Sequence, residues 1–376
     1  MRFLHTADWQ IGMKAAHTGT AGARVREARI AAAHNVVARA REAGAELIVV
    51  AGDTFEDNGV DRLLVQKIVD VLSSFPGPVL VIPGNHDPLV PGSVWEHPAW
   101  RSETAKNVNV LRSEDPVEVT GGWIFPCPLR SKHSDRDPTL AISSRDLRGI
   151  RVGIAHGTVE GVRQDEPDYP IARDAALRAG LDYLALGHWH SFAPYEVGGA
   201  QRMAYSGTHE TTKFGERASG SAVLVEIVSP GAPPTLTPMR TGTLQWVLLE
   251  RESRQAGAIA TLGKEIENFR GKDGTLLEAR VAGLLFPGDE DELRRITELL
   301  ATGFVFGRLD ATRLLLAPEA DGWLDRIPPG PVRAAAARLR ELSSSAYSDP
   351  RPEGGTPKAA AQALLELYAL LAKDAP

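Results

Sequence analysis

The stretch Val79-Leu80-Val81-Ile82-Pro83-Gly84-Asn85-His86-Asp87 joins a four-residue apolar run, through a tight turn, to three side chains that can hold a metal ion or a proton. Four other segments of the first half are built in the same way. Phe3-Leu4 leads to Asp8-Trp9-Gln10, and Leu47-Ile48-Val49-Val50 leads to Gly52-Asp53. Val152-Gly153-Ile154-Ala155 leads to His156-Gly157, and Tyr183-Leu184-Ala185-Leu186 leads to Gly187-His188-Trp189-His190. Runs this apolar predict strands covered on both faces. Between Leu47–Val50 and Val79–Ile82, Leu64, Ile68, Val71 and Leu72 have helical spacing, and Phe75-Pro76-Gly77-Pro78 ends the helix. Alternating strand and helix predicts an α/β domain with a largely parallel central sheet. Ligands of such sheets bind beyond the carboxyl ends of the strands, where all five loops would meet.

Outward from this core, a turn-rich, strand-like segment runs to about residue 240, and Ser229-Pro230-Gly231-Ala232-Pro233-Pro234 breaks the composition. Residues 241–320 read as a small α+β domain. It has strands at 244–249 and 276–281, helical faces at Leu262, Ile266, Phe269 and at Leu293, Ile296, Leu299, Leu300, and apolar runs at 304–306 and 314–316. Residues 321–376 read as a helical tail. One helix has its stripe on Val332, Ala335, Leu339 and Leu342, and a final one on Ala361, Leu364, Leu365, Tyr368 and Leu371.

The 376-residue chain is 43% hydrophobic and 24% charged, which excludes a wholly disordered or fibrous protein. A single cysteine, Cys127, excludes an internal disulfide framework and a multi-cysteine zinc site. No apolar run reaches the roughly 20 residues of a membrane span. The first residues turn polar too early for a signal peptide, so a cytoplasmic protein is expected. With 42 Lys plus Arg against 48 Asp plus Glu, the net charge of −6 argues against a protein that passively coats nucleic acid. An enzyme with a local basic groove stays open. No Gly-x-Ser-x-Gly elbow is present, and Gly263-Lys264-Glu265 lacks the P-loop pattern.

Taken singly, a histidine such as His86 or His156 is more often a hydrogen-bonded structural residue than a ligand. Five such loops, each just past an apolar run, reverse that inference. Carboxylate and amide oxygens mixed with imidazoles suit Mn²⁺, Fe or Zn better than Ca²⁺ or Cu(I). About seven candidate ligands are too many for one tetrahedral ion and fit two ions roughly 3.5–4 Å apart.

Asp8-Trp9-Gln10, Gly52-Asp53, Gly84-Asn85-His86-Asp87, His156 and Gly187-His188-Trp189-His190 resemble, in order, the signature of calcineurin-like metallophosphoesterases. The opening His5-Thr6-Ala7-Asp8-Trp9-Gln10-Ile11-Gly12 resembles the SbcD-type DNA-repair exonuclease subunits, as do Tyr205-Ser206-Gly207-Thr208 and Phe214-Gly215-Glu216. The resemblance implies a sandwich of central β-sheets flanked by helices over residues 1–240, a small α+β cap over 241–320 and partner-binding helices over 321–376. It implies that Asp53 bridges two divalent ions, with Mn²⁺ expected and Mg²⁺, Fe or Zn as alternatives. Asp8, His190 and Gln10 would hold the first ion; Asn85, His156 and His188 would hold the second. His86 would face the scissile phosphate, oriented by Glu56 or Asp87. Gln10 stands where the family usually has histidine, and its amide oxygen is a weaker donor. It reads either as a tolerated variant or as a weakened first site.

The implied activity is hydrolysis of DNA phosphodiesters by metal-activated water, within a double-strand-break repair complex. Implied partners are DNA, an SbcC-like coiled-coil ATPase docked on the tail helices, and a second copy of the chain. Arg130, Lys132 and Trp189 are candidate DNA contacts. The wider basic stretches are Arg24, Arg26, Arg29, Arg39, Arg41 and Arg136, Arg145, Arg148, Arg151. Trp9 could stack on a base, although core packing is the commoner fate of such a tryptophan. Two rival readings share every ligand: a phosphoesterase for nucleotides, cyclic nucleotides or phosphoproteins, and a weakly active adaptor for an ATPase.

Overall fold

Each of the five apolar runs of the first half forms a strand in the computed structural model, and every carboxyl end carries the expected loop. The structure describes the whole chain except residues 144–146, 162–167, 319–320, 345, 354 and 374–376, so Arg145 lies outside the described residues. Two compact units are present, Met1–Gln245 and Trp246–Pro376. The first boundary falls five residues past 240, and the sheet and tail helices of the second half share one unit.

The first unit runs β1 (Arg2–Thr6), α1 (Gly22–Glu42), β2 (Leu47–Ala51), α2 (Arg62–Ser73), β3 (Val79–Ile82), β4 (Val108–Val110), β5 (Val117–Val119), β6 (Gly122–Pro126) and β7 (Ile150–His156). It continues with α3 (Ala175–Arg178), β8 (Tyr183–Gly187), β9 (Ala193–Val197), β10 (Ala200–Tyr205), β11 (Ser221–Glu226) and β12 (Thr235–Arg240). These strands form two six-stranded sheets, ordered β12-β11-β1-β2-β3-β4 and β5-β6-β7-β8-β10-β9. The central pairings β1-β2-β3-β4 and β6-β7-β8-β10 are parallel, and antiparallel strands flank them. The strands that lead to the candidate ligands are therefore split between two sheets, three in one and two in the other.

Side-chain alternation fixes the layers. On β2, Leu47, Val49 and Ala51 face Ile124, Val152 and Ile154 of the second sheet in the sandwich core. Ile48 and Val50 face the opposite way, onto Val36 and Val37 of α1 and Ile68, Val69 and Leu72 of α2. The second sheet turns Phe125, Leu184, Leu186 and Met203 onto Ala175, Ala176 and Ala179 around α3. Ser229–Pro234 connects β11 to β12, which pair within the first unit.

The second unit holds β13 (Gln245–Ser253), α4 (Ala258–Glu267), β14 (Thr275–Leu285), α5 (Asp289–Gly303), β15 (Phe306–Leu316), α6 (Pro331–Ser343) and α7 (Pro357–Lys373). Its three-stranded sheet packs on α4 and α5 through Leu262, Ile266, Leu277, Ile296 and Leu300. The runs at 304–306 and 314–316 fall largely in one eleven-residue strand, β15, parallel to β14. In the tail, α6 buries Ala336 rather than Ala335, and Leu364 of α7 joins it with Leu324 and Ile327. The Tyr368 ring meets Trp323 at 5.2 Å, and its hydroxyl donates to the Leu316 carbonyl at 3.1 Å. The tail helices thus fold back on their own unit, leaving Leu370 and Leu371 exposed. No described helix is long and apolar enough to cross a membrane.

The packing generates a stability contrast. Ile154→Ala, in the sandwich core, is expected to cost about 2–5 kcal/mol. Leu140→Ala, at a side chain 66% exposed, should stay within about 0.5 kcal/mol. Urea midpoints of the two variants check this.

Candidate metal centre

Strand ends from both sheets meet at the centre, and the loops are tied there by main-chain bonds. The Asp8 amide donates to the Gly52 carbonyl at 3.2 Å and the Gln10 amide to the Asp53 carbonyl at 2.9 Å. One ligand atom from each of Asp8, Asp53 and His156 lies within 4.8 Å of the others, and all three residues are buried. Two buried like charges would repel, so both carboxylates need compensation. The His188 amide donates to Asp8 Oδ1 at 2.9 Å and to Oδ2 at 3.1 Å, and the His86 amide donates to Asp53 Oδ1 at 2.9 Å. His156 Nε2 lies 3.3 Å from Asp53 Oδ2.

Proton positions follow from the acceptors. A carbonyl only accepts, so His156 Nδ1 donates to the Ala51 carbonyl at 2.9 Å, and Nε2 is the nitrogen turned to the cluster. Asn85 Oδ1 stands 2.9 Å from that Nε2 and 3.3 Å from His188 Nδ1. Burial opposes charge on His156, but Asp53 and Asp8 raise its pKa to about 9. Burial would likewise raise Asp53, yet attraction to His156 and the His86 amide hold it below the usual carboxylate range. Asp8 moves up, chiefly through burial. Burial and the charge of His156 lower His188 to about 4, leaving it a neutral donor. In this arrangement a proton on His156 sits between carboxylates that a divalent cation would neutralise more fully. The donor set, oxygen-rich with imidazoles, fits such an ion.

The remaining residues have distinct places. His190 Nδ1 is bound by Glu216 Oε1 at 2.9 Å and Thr212 Oγ1 at 3.0 Å, so Nε2 is its ligand-ready nitrogen. Glu216 in turn accepts from the Thr212 amide at 2.9 Å. Neither Glu216 nor Thr212 is marked as a partner of His190 by local sequence. Gln10 is buried and held through its main chain. His86 Nδ1 donates to the carbonyl of Glu56 at 2.9 Å, so its ring is oriented by main chain rather than by either expected carboxylate. The Asp87 carboxylate instead accepts from the amides of Gly84 at 2.7 Å and Phe55 at 2.9 Å, bracing the loop.

The expectation of Arg29 in an exposed basic stretch is corrected, while Trp9 takes the commoner of its two expected fates, core packing. Arg29 is buried, not part of a basic stripe. Its Nε donates to the Trp9 carbonyl at 2.9 Å and Nη1 to the Glu210 carbonyl at 2.9 Å, locking the Asp8 loop to the segment after β10. Burial lowers its pKa only to about 10, so it stays charged at neutral pH. Trp9 is buried too, stacked on His209 with ring centroids 4.9 Å apart, and cannot reach a base. Arg151 turns to the buried Asp182 at 3.6 Å. Trp189 is half-buried, whereas Arg130, Lys132, Arg136 and Arg148 are exposed.

Glycine is required where the loops touch. A Cβ on Gly84 would stand 2.1 Å from Asp53 Oδ1, and one on Gly187 would stand 2.0 Å from the Ala51 carbonyl oxygen. Asp8, Gln10, Asp53 and His188 adopt positive φ of 55°, 41°, 51° and 105°, an uncommon concentration of left-handed backbone outside glycine.

Residues 1–192 match the calcineurin-like phosphoesterase family. The chain belongs to that family. It is 25% identical over 276 residues to the SbcD component of the nuclease SbcCD from Bacillus subtilis, covering 62% of this chain and 68% of that protein. The corresponding SbcCD component of Staphylococcus epidermidis is 23% identical over 246 residues, covering 57% and 63%. An uncharacterised metallophosphoesterase of Bacillus subtilis, YhaO, is 27% identical over 180 residues, covering 45% of this chain and 42% of that protein. The matched part thus spans less than two thirds of two of these relatives. A solved structure, TT1561 of Thermus thermophilus, covers 64% of the chain with a TM-score of 0.42 at 10% identity.

As a phosphoesterase of this family, the chain should lose metal when its supports are cut. Glu216→Ala is expected to weaken Mn²⁺ binding about 10–100-fold, as loss of a ligand's outer partner does. Gly84→Ala, which drives a methyl group into Asp53, should weaken it at least as much. Calorimetric titration of Mn²⁺ into each variant checks both.

Proposed function

We propose that the protein is a dinuclear, metal-dependent phosphodiesterase acting on DNA, the nuclease subunit of an SbcCD-like repair complex. The observation that carries this reading is the meeting of Asp8, Asp53 and His156 within 4.8 Å, with Asn85 and His188 alongside. The likeness to two nuclease components supports the choice of DNA over smaller esters. Asp53 would be shared by both ions, with Asp8, Gln10 and His190 on one and Asn85, His156 and His188 on the other. Two bound ions, Mn²⁺ being expected, would polarise the phosphoryl group and lower the pKa of a nearby water.

The chain's own residues then divide the remaining work. Main-chain amides of His188 and His86 fix the two carboxylates. His156 and His190 donate through Nδ1 to Ala51 and Glu216, which leaves Nε2 of each free to serve as the ligand nitrogen. His86, anchored through Nδ1 on the Glu56 carbonyl, has Nε2 as the nitrogen that can stabilise or protonate the leaving oxygen. The exposed Arg130 and Lys132, and the half-buried Trp189, are proposed to track the DNA. The α+β region over 241–320 is proposed to be a cap that helps select or open the DNA end. The exposed Leu370 and Leu371 on α7 would take part in docking a coiled-coil ATPase. A homodimer and a cytoplasmic location belong to the same proposal.

The test is Mn²⁺-dependent digestion of end-labelled linear DNA, single- and double-stranded, with a chromogenic phosphodiester in parallel. His86→Asn is expected to lower cleavage of DNA by about 10²–10⁴-fold while the protein still binds metal. Diester cleavage with intact DNA, even when an SbcC-type ATPase is added, would favour the small-ester reading. Inactivity on both at saturating Mn²⁺ would point to Gln10 and the adaptor.

A further inference from the structure

Asn85 has two ends, and only one can serve a cation. Its Oδ1 faces His156 and His188, as described, while its Nδ2 donates to Asp168 Oδ2 at 3.4 Å. A carboxylate can only accept, so Asp168 claims the amino end and holds the oxygen toward the centre. The same Oδ2 lies 3.1 Å from His133 Nδ1, and Asp168 Oδ1 accepts from the Ser134 amide at 2.9 Å. Exposure grades sharply along this chain of contacts: Asn85 is buried, the Asp168 side chain is 15% exposed, and the His133 side chain is 74% exposed. His133 stands between the exposed Lys132 and Arg136.

We propose that Asp168 is the positioning residue for Asn85 and that His133, seated on the same carboxylate oxygen, receives the phosphodiester chain at the edge of the centre. A binding contact at the surface and a ligand in the interior would then share one acceptor. With Nδ1 donating to Asp168, the Nε2–H of the imidazolium form is the donor that a phosphate oxygen would meet. The assignment rests on the centre being a metal-dependent phosphodiesterase, and the experiment keeps the two apart.

Full-length wild type, Asp168→Ala, Asp168→Asn and His133→Ala are titrated with Mn²⁺, following free ion by its paramagnetic resonance signal, and melted to check folding. Binding of one ion should weaken about 10–100-fold in Asp168→Ala. Asp168→Asn, which keeps an acceptor oxygen, should fall between; it carries the metal measurement if the alanine variant does not fold. His133→Ala should bind Mn²⁺ like wild type yet raise KM for a DNA oligonucleotide about tenfold with kcat unchanged. Mn²⁺ affinity within twofold of wild type in a folded Asp168 variant overturns the positioning role. An unchanged KM in His133→Ala overturns the contact. Wild type that binds Mn²⁺ but cuts no phosphodiester would sink the phosphodiesterase reading, and with it the role of His133, while the metal titration still judges Asp168.

Discussion

Asp8 and Asp53 lie almost out of contact with solvent, near one another and near a single imidazole, and the surrounding loops are arranged around that fact. Each buried carboxylate loses hydration worth several kcal/mol, and proximity adds repulsion. Compensation comes from amides and imidazoles delivered by the neighbouring strand ends. A parallel sheet suits this purpose, because all its strands terminate at one edge. Two such sheets packed face to face bring candidate ligands in from both sides, which one sheet would do only along a line.

Outer contacts hold the arrangement in register. Arg29 ties the Asp8 loop to residues 208–210 from within α1, and Glu210 accepts from the Thr243 amide at 2.6 Å and its hydroxyl at 2.9 Å. The segment that ends the first unit is therefore fastened to the same loop that braces Asp8. His190 is steered by Glu216, from well downstream in sequence. These partners are charged and buried, so removing one member of a pair leaves the other without compensation.

Strands and ligand loops are legible in the sequence because an unbroken apolar run followed by Asp, Asn or His has few other readings. The division into two sheets is not, since Val152–Ala155 and Leu47–Val50 look alike whichever sheet they join. Arg29 reads as a surface residue because arginines cluster around it, yet it falls in phase with Val25, Ala32, Ala33 and Val36, the buried stripe of α1. That spacing is the available signal. In α6 the run Ala334–Ala337 offers several weakly apolar faces, so pattern alone puts the stripe one residue early, at Ala335 instead of Ala336. Glu216, Thr212 and Asp168 act across distances that local pattern does not encode.

Of seven non-glycine residues with positive φ among those described, four belong to the centre: Asp8, Gln10, Asp53 and His188. Such conformations cost on the order of 1 kcal/mol or more each. Local conformational preference and chemistry thus pull in opposite directions at these positions, and glycine would relax the backbone while deleting the candidate ligand. A laboratory selection scored on heat resistance alone would erode this centre before it touched the sandwich around it.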